Sequence, residues 1–194
     1  MKEIAVATHN KGKLEEYKNY LNPLGYKVLS LDNLGITEEA PEEGESFLEV
    51  AENKAIFYSK LTHKPIVADD SGLEILALGG FPGVKTNRWM EGSDREKNIA
   101  IEQKMKDKKD RRATFKAIIV YKKGKTLVRF QGELSGEISA KPRGVMGFGY
   151  DPIFYLPTLK RTLGELLLFE KNQISHRAKA LQKLVSYLKK YKAQ

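Results

Sequence analysis

Two adjacent carboxylates follow a short apolar run in this chain. The run is Pro65-Ile66-Val67, and it continues into Ala68-Asp69-Asp70-Ser71-Gly72-Leu73. An acid is costly in an apolar strand unless another group pairs with it. The pattern predicts a buried strand that ends in two acids, a hydroxyl group and a glycine turn. Because open α/β sheets bind ligands at the carboxyl ends of their strands, we expect chemistry at this position.

The acid pair suggests a site for a divalent cation. Adjacent strand residues point to opposite faces, so Asp69 and Asp70 are not expected to share one ion. Mg²⁺ usually takes one or two protein carboxylates together with substrate phosphates. A glutamate of the acidic loop 37–44, either Glu42 or Glu43, could be the second ligand. The alternative is that these glutamates are only solvated loop charges, which does not explain the acid pair.

A phosphate-binding segment is predicted where the first strand meets the first helix. Unpaired N–H groups at a helix start attract phosphate, and a hydroxyl, an amide and two lysines would add contacts. An Asn or Thr helix cap with solvated lysines is the alternative. The segment is not a P-loop, because Gly-x4-Gly-Lys-Ser/Thr is absent. Its residues are Thr8, His9, Asn10, Lys11, Gly12 and Lys13.

Two later segments could bind a base or a phosphate. In Gly147-Phe148-Gly149-Tyr150-Asp151-Pro152, aromatics flanked by glycines could stack on a base while an acid reads its edge. A tight turn with packed aromatics explains the same residues. Lys171 with Ser175-His176-Arg177 could hold a phosphate or a base carbonyl at a helix start. An N-cap serine beside a partly exposed histidine is the alternative there.

Hydrophobic periodicity places these segments in an α/β fold. Alternating strands and helices followed by hairpin strands indicate a mixed sheet. Lys54 interrupts the otherwise apolar face of a helix that Ser46 caps, with Glu49 at the capping-box position. The predicted strands are 3–7, 26–31, 65–68, 114–121, 126–131 and 133–139, with a hairpin turn at 122–125, and the other helices are 12–21, 94–105 and one starting at 175.

Composition limits the class of protein. The chain has 194 residues, 41% of them apolar, no cysteine and a net charge of +9. These values predict one folded domain with an anionic partner and no disulfide or thiolate metal site. No apolar run approaches the roughly 18–20 residues that span a bilayer, and the N-terminus lacks a signal-peptide pattern. The lysine-rich runs at 104–112 and 189–192 lack interleaved aromatics, so solvated helix ends are favoured over a nucleic-acid patch.

From the residues alone, the prediction stops at a nucleotide or phosphate ligand with Mg²⁺. Five motifs, in this order, resemble the inosine triphosphate pyrophosphatase family, which hydrolyses non-standard purine nucleoside triphosphates such as ITP, dITP and XTP. The motifs run almost from end to end: Thr8-x-Asn10-x-x-Lys13, Ala68-Asp69-Asp70-Ser71-Gly72-Leu73, Leu78-Gly79-Gly80-Phe81-Pro82-Gly83-Val84, Phe148-Gly149-Tyr150-Asp151-Pro152-Ile153-Phe154, and Glu170-Lys171-Asn172 with Ser175-His176-Arg177-Ala178-Lys179-Ala180-Leu181.

The resemblance implies an α/β fold with a long twisted mixed sheet flanked by helices. It implies one domain over residues 1–194, with two lobes and a substrate cleft between them. The expected reaction is Mg²⁺-dependent cleavage to the nucleoside monophosphate and pyrophosphate, which cleanses the nucleotide pool. A cytoplasmic homodimer is expected, with no stable nucleic-acid partner and no membrane association.

The resemblance also assigns roles to residues. Asp70 would bind Mg²⁺ and activate water, with Glu42 as the second metal ligand and Glu43 as its substitute. Asp69 would be a structural partner of the site. Thr8, Asn10 and Lys13 would hold the triphosphate, and Ser71 would contact the substrate. The base pocket would be formed by Phe148, Gly149, Tyr150 and Asp151, with Lys171, His176 and Arg177 at the purine keto oxygen. Substrate binding is also predicted for the residues between the matched positions of the first motif, His9, Lys11 and Gly12.

Two other functions are compatible with the composition. A basic, non-catalytic nucleic-acid-binding module would explain the net charge of +9, but carboxylates repel a phosphate backbone unless a metal intervenes. A pyrophosphatase for pyrimidine or other modified nucleotides would keep the same motifs. Turnover with Mg²⁺ distinguishes the first alternative, and base preference distinguishes the second.

Overall fold

Seven strands form one mixed sheet in the computed structural model, which describes residues 2–41, 43–86 and 88–192. The helices of the described chain are α1 (Lys11–Leu21), α2 (Phe47–Leu61), α3 (Asp94–Lys104), α4 (Leu168–Ile174) and α5 (His176–Lys192). The strands are β1 (Lys2–Ala7), β2 (Tyr26–Leu29), β3 (Ile66–Ile75), β4 (Arg112–Lys123), β5 (Thr126–Ile138), β6 (Phe154–Leu156) and β7 (Arg161–Thr162). The strand order is β2-β1-β3-β4-β5-β6-β7.

The sheet combines parallel and antiparallel pairs. β1 lies parallel to both β2 and β3, as expected where helices cross over between strands. β6 is antiparallel to β5 and to β7, and the two-residue turn Gly124-Lys125 joins β4 to its neighbour β5 as a hairpin. The predicted α/β fold with a mixed sheet and flanking helices is confirmed.

The chain divides into two compact units. The first unit comprises Met1–Asp70, Ala117–Gly132 and Arg177–Gln194, and the second comprises Ser71–Lys116 and Glu133–His176. The boundary falls inside β3, β4 and β5, so each of these strands contributes one part to each unit. Within the described residues, no helix has the length and apolar character needed to cross a bilayer.

The first unit packs helices on both faces of its strands. Val67 belongs to a core with Tyr17 of α1 and Leu181 of α5. Ile66 and Ala68 belong to a separate core with Ala51, Ala55 and Tyr58 of α2. Because side chains alternate along a strand, the next residue, Asp69, faces α1 and α5, and Asp70 faces α2.

The second unit has its own apolar core. It joins Leu73 and Ile75 of β3 to Phe115 of β4, Ile101 of α3 and Phe154 of β6. This core anchors α3 and the short 3₁₀ turn that follows the glycine-rich loop 144–149. Both segments position the candidate base-binding residues described below.

The predicted glycine turn after the acid pair is wrong. β3 continues through Gly72, which is buried, to Ile75, so Asp69 and Asp70 lie inside a strand. It is the parallel neighbour that ends here, because the β1–β3 pairing stops at Ala7 and Ala68. Asp69 and Asp70 therefore lie just beyond the carboxyl end of β1, where β3 no longer has this parallel partner.

Several predicted boundaries also change. The predicted strands 126–131 and 133–139 are one strand, β5, since Gly132 continues it without a break. β2 ends at Leu29 rather than at residue 31, and the β4–β5 turn is confined to Gly124-Lys125. Ser46 caps α2 as predicted, but the Glu49 carboxylate accepts from the Glu45 N–H. β6, β7 and α4 were not predicted, because they are only two to seven residues long.

Candidate active site

Asp69 lies in a buried network of salt bridges in the first unit. Its Oδ2 atom is 3.0 Å from Nζ of Lys13 and 3.3 Å from Nε of Arg177. The Arg177 guanidinium also reaches Oε2 of Glu16, at 2.6 Å. Two cations and two carboxylates therefore balance their charges among side chains that are at most 10% exposed.

The electrostatics of this network fix the charge state of Asp69. Burial alone would raise the pKa of its carboxyl group. The positive charges of Lys13 and Arg177 and the hydrogen bond from Lys13 outweigh that effect, and they hold the pKa well below its usual range. Glu16 and Asp69 likewise raise the pKa of the Arg177 guanidinium against the opposing effect of its burial. Asp69 is thus a fixed anion that orients Lys13 and Arg177.

Asp70 has a different environment on the other face of β3. Its Oδ1 atom is 3.7 Å from Nζ of Lys54, which reaches it from α2. That distance is longer than either contact that holds Asp69. The lysine that interrupts the apolar face of α2 in the sequence is therefore the cation beside Asp70.

Asp70 fits the way in which Mg²⁺ binds beside phosphates. This ion takes oxygen ligands, and substrate phosphates and water usually complete a set begun by one or two carboxylates. In the part of the chain that the structure describes, no group of three or more His, Asp or Glu side chains forms a closed metal cage. Asp70 could supply one carboxylate ligand, with substrate phosphates and water as the remaining ligands. The other predicted ligand, Glu42, lies outside the described residues.

Glu43, the substitute ligand, is exposed in the acidic loop. Its carbonyl oxygen accepts a hydrogen bond of 3.1 Å from Nδ2 of Asn53. Asn53 precedes Lys54 on α2, so the end of the loop is tied to the helix that also reaches Asp70. The role of Glu43 as a metal ligand remains a prediction.

The start of α1 has the geometry of a capped helix. Oδ1 of Asn10 accepts from the Lys13 N–H at 3.0 Å, and Thr8 Oγ1 accepts from the Asn10 N–H at 3.1 Å. The first backbone bond of the helix runs from the Leu14 N–H to the Asn10 carbonyl. The N–H groups of Lys11 and Gly12 therefore point out of the helix end, where an anion could accept from them.

The side chains of this segment divide into two groups. Those of His9 and Lys11 are exposed, and Nδ1 of His9 lies 4.0 Å from Asp32. The Lys13 side chain is instead buried and directed at Asp69. The helix-cap alternative is thus correct for Asn10, and phosphate binding at this helix end remains a prediction.

The second unit brings Phe148, Asp151 and Lys171 together. Oδ2 of Asp151 accepts from the Phe148 N–H at 2.8 Å and from Nζ of Lys171 at 2.6 Å. Nζ of Lys171 also lies 4.2 Å from the centre of the Phe148 ring, which is a cation–π contact. A buried lysine, a buried acid and a half-buried aromatic ring therefore form one contact set.

Tyr150 and His176 are both buried in the second unit. The Tyr150 hydroxyl donates to the Thr86 carbonyl at 2.8 Å and accepts from Nε1 of Trp89 at 2.6 Å. Its burial raises its pKa to about 12. His176 is buried, not partly exposed, and it stacks on Phe115 with a ring separation of 4.6 Å. Tyr150 and His176 thus support this part of the unit through packing.

Two glycines of the glycine-rich loop 144–149, called the base loop from here on, differ in what surrounds them. A Cβ atom at Gly147 would lie 2.0 Å from Oδ2 of Asp151, whereas a Cβ at Gly149 would have nothing within 4 Å. Both glycines have positive φ, +78° and +62°. Of these two glycines, only Gly147 therefore combines a strained backbone with a steric requirement.

We expect Gly147→Ala to lower the free energy of unfolding more than Gly149→Ala. The change at Gly149 introduces only the backbone strain of a left-handed residue, about 1–2 kcal/mol. The change at Gly147 also displaces the Asp151 carboxylate from Phe148 and Lys171. Urea unfolding of the two variants measures the difference, and equal losses would contradict the contact described for Asp151.

Two sets of residues around the site were not predicted from the sequence. Glu16 is a buried acid of the Asp69 network, and its i,i+3 spacing from Lys13 was the available signal. Asp94 and Asn98 of α3 contact the base loop, and no motif contains them. Ser71, which was predicted from the sequence, is buried on β3 as the first residue of the second unit, and its contact with substrate remains a prediction.

The predicted site residues fall into two sets. The first unit holds Thr8, His9, Asn10, Lys11, Gly12, Lys13, Asp70 and Arg177, and the second holds Ser71, Phe148, Gly149, Tyr150, Asp151, Lys171 and His176. Arg177, predicted to read a keto oxygen, belongs to the Asp69 network and lies 2.6 Å from Glu16, and its contact with a base remains a prediction. The first set is suited to a polyanion and the second to a ring system.

Comparison with known proteins gives near-complete matches. A model of the Ham1 family matches residues 4–187. The chain is 46% identical over 193 residues to the dITP/XTP pyrophosphatase of Bacillus subtilis, covering 97% of this chain and 98% of the relative. The structure of the Staphylococcus aureus Ham1 protein superposes with a TM-score of 0.88 at 36% identity, covering 98% and 100% of the two chains. A HAM1 protein from Coxiella burnetii gives 0.90 at 38% identity, with the same coverage.

Proposed function

The chain belongs to the Ham1 family, and on this premise we propose that it hydrolyses non-standard purine nucleoside triphosphates such as dITP, ITP and XTP. The products are the nucleoside monophosphate and pyrophosphate. Relatives that match nearly the whole chain are dITP/XTP pyrophosphatases, and the five sequence motifs predicted the same reaction. A role in cleansing the nucleotide pool follows from this substrate class.

The observation in the structure that carries the proposal is that Asp69 and Asp70 have different ion-pair partners. Asp69 is held by Lys13 and Arg177, so its charge is already balanced by protein groups. Asp70 faces α2 and has Lys54 at 3.7 Å. A phosphate-cleaving site needs one carboxylate to hold a metal and positive charges to hold the polyanion, and this arrangement supplies both.

Asp70 would hold Mg²⁺, with Glu42 or Glu43 as a second carboxylate. When bound, Mg²⁺ neutralises phosphate charge and lowers the pKa of a coordinated water. Asp70 cannot be a tight ligand and a free general base at once, so its role is to hold the ion or to orient the attacking water. Lys54, at 3.7 Å from Asp70, adds positive charge where the phosphates would lie.

The start of α1 would bind the triphosphate. Its outward N–H groups at Lys11 and Gly12 and the exposed side chains of His9 and Lys11 suit an anion. Asn10 keeps the helix end in place through its cap. Lys13 acts through Asp69, since its ammonium group lies 3.0 Å from that carboxylate.

The second unit would bind the base. Nζ of Lys171 lies 4.2 Å from the centre of the Phe148 ring, so a purine packed beside this ring could contact both the ring and the lysine. Lys171 would also donate to a keto oxygen at position 6, while Asp151 holds its ammonium group. Adenine carries an amino group there, so it would leave a buried donor without an acceptor. Selectivity for 6-keto purines follows from this chemistry.

Steady-state rates on a panel of nucleoside triphosphates test the proposal. With Mg²⁺, kcat/KM for ITP, dITP and XTP should exceed that for ATP by about 10²-fold or more, because of the donor mismatch. Equal rates on ATP would show that the base is not read at position 6. Absence of Mg²⁺-dependent turnover on every substrate, with salt-sensitive binding to DNA or RNA, would favour the nucleic-acid-binding alternative.

A further inference from the structure

One face of α3 holds both backbone groups of Gly149. Oδ2 of Asp94 accepts from the Gly149 N–H at 2.7 Å, and Nδ2 of Asn98 donates to the Gly149 carbonyl at 3.1 Å. Asp94 and Asn98 are four residues apart, so they lie on the same side of the helix. Gly149 directly follows Phe148, the predicted stacking residue.

We propose that Asp94 and Asn98 are positioning residues that fix the ring of Phe148 and thereby set the affinity for the base. The proposal rests on the proposed function, since it assigns Phe148 to the base. Neither residue belongs to any motif of the site. They act through the backbone of the loop and need no contact with substrate.

The backbone geometry explains how α3 could orient a ring. The two amides that flank the Cα atom of Phe148 are its own N–H and the N–H of Gly149. The first donates to Asp151 at 2.8 Å and the second to Asp94 at 2.7 Å. With both peptide planes held, the φ and ψ angles of Phe148 are restrained, and these angles limit the rotamers that its ring can adopt.

Gly149 cannot hold this conformation through its own packing. It has a φ of +62°, and a Cβ placed there would meet no atom within 4 Å. Hydrogen bonds to its N–H and carbonyl groups from outside the loop can hold the backbone in this conformation instead. The bonds from Asp94 and Asn98 are such contacts.

Capping of α3 does not require Asp94 or Asn98. Ser93 and Glu96 already form a complete capping box, in which Oγ of Ser93 accepts from the Glu96 N–H and the Glu96 carboxylate accepts from the Ser93 N–H. Asn98 is only 3% exposed, and burial of an amide is costly unless its groups are hydrogen-bonded. Its Nδ2 group is satisfied by the bond to the Gly149 carbonyl, whereas its Oδ1 atom has no hydrogen-bond partner among the described residues.

The test compares three variants with a matched control. Asp94→Ala and Asn98→Ala remove the bonds to Gly149, and Asp94→Asn keeps an acceptor in the same place. Ser93→Ala is the control, because it weakens the start of α3 without touching the loop. The first readout is the rate of hydrogen exchange at the Gly149 amide without ligand. The second is the affinity for substrate, measured as KM for ITP and compared with the inhibition constant of tripolyphosphate, which has no base.

Asp94→Ala and Asn98→Ala should accelerate exchange at Gly149 and raise KM for ITP about tenfold, the effect of losing one hydrogen bond. Because contacts with the base stabilise the bound substrate and the transition state equally, kcat should change little. Inhibition by tripolyphosphate should be unchanged, Asp94→Asn should stay near wild type, and Ser93→Ala should alter neither readout. In a Phe148→Ala background, Asn98→Ala should add nothing further to KM.

Several results would overturn the proposal. Unchanged exchange at Gly149 would show that α3 does not hold the loop. Faster exchange with an unchanged KM, or equal losses for ITP and tripolyphosphate, would show that the loop does not set base affinity. If the wild-type protein turns over no triphosphate at all, the proposed function and the link to the base fall together, while the exchange data alone decide whether α3 positions Phe148.

Discussion

Asp70→Asn should lower kcat for ITP by about 10³-fold while the protein stays folded. The substitution keeps the shape of the side chain and removes the charge that would hold Mg²⁺, and loss of one key electrostatic contact costs rates of this order. Initial rates at saturating substrate measure the effect. Circular dichroism and urea unfolding check that the fold is retained.

A matched control lies on the same strand. Glu74 of β3 also pairs with a lysine, Lys116, at 2.7 Å, and no proposed role involves it. Glu74→Gln neutralises an acid on β3 in the same way and should leave kcat within about twofold, as expected of a partly exposed salt bridge. If Asp70→Asn retains wild-type kcat, or if Glu74→Gln lowers it equally, Asp70 is not the carboxylate of the reaction.

Arg177→Met should cause the largest loss of stability, about 3–5 kcal/mol in the free energy of unfolding. The arginine is 2% exposed and bonds to both Glu16 and Asp69. Methionine replaces much of its volume but leaves two buried carboxylates with Lys13 as the remaining cation among the salt bridges described. Urea unfolding at pH 7 measures the change.

Arg129→Met is the control for this second prediction. Arg129 pairs with Glu52, but its side chain is 54% exposed, so solvent compensates most of the lost interaction. We expect its free energy of unfolding to stay close to that of the wild type. A loss for Arg177→Met no larger than that for Arg129→Met would mean that the buried network does not stabilise the fold.

The acid pair shows what one strand pattern can and cannot predict. Alternation along a strand correctly separated Asp69 from Asp70, because that rule depends only on backbone geometry. The end of the strand was predicted wrongly at Gly72, because glycine is compatible with a turn and equally with a buried strand. The pairing of neighbouring strands decides between the two, and a local pattern does not contain it.

The base loop shows the same limit in the candidate site. Its glycines and aromatics, Phe148 and Tyr150, were visible as a motif, because they are adjacent in the chain. The helix that holds Gly149 lies about fifty residues earlier, and its Asp94 and Asn98 look like ordinary residues of a polar helix. Contacts between distant segments arise from tertiary packing, which short-range spacing does not report.

Long-range ion pairs were equally hidden. Arg177 was predicted to read a keto oxygen, yet 161 residues separate it from Glu16, the carboxylate that it contacts at 2.6 Å. The sequence indicated that Asp69 needed a partner, since a buried acid is costly when unpaired. It did not indicate which of 34 lysines and arginines would supply one, because charge is abundant along the whole chain.

The identity of the products tests the central claim most directly. Wild-type protein should be incubated with ITP and Mg²⁺, and the products should be separated and quantified without any added phosphatase. We expect inosine monophosphate and pyrophosphate in equal amounts, with no orthophosphate. Inosine diphosphate with orthophosphate would show cleavage at the terminal phosphate, and it would contradict the account of this site as a nucleoside triphosphate pyrophosphatase.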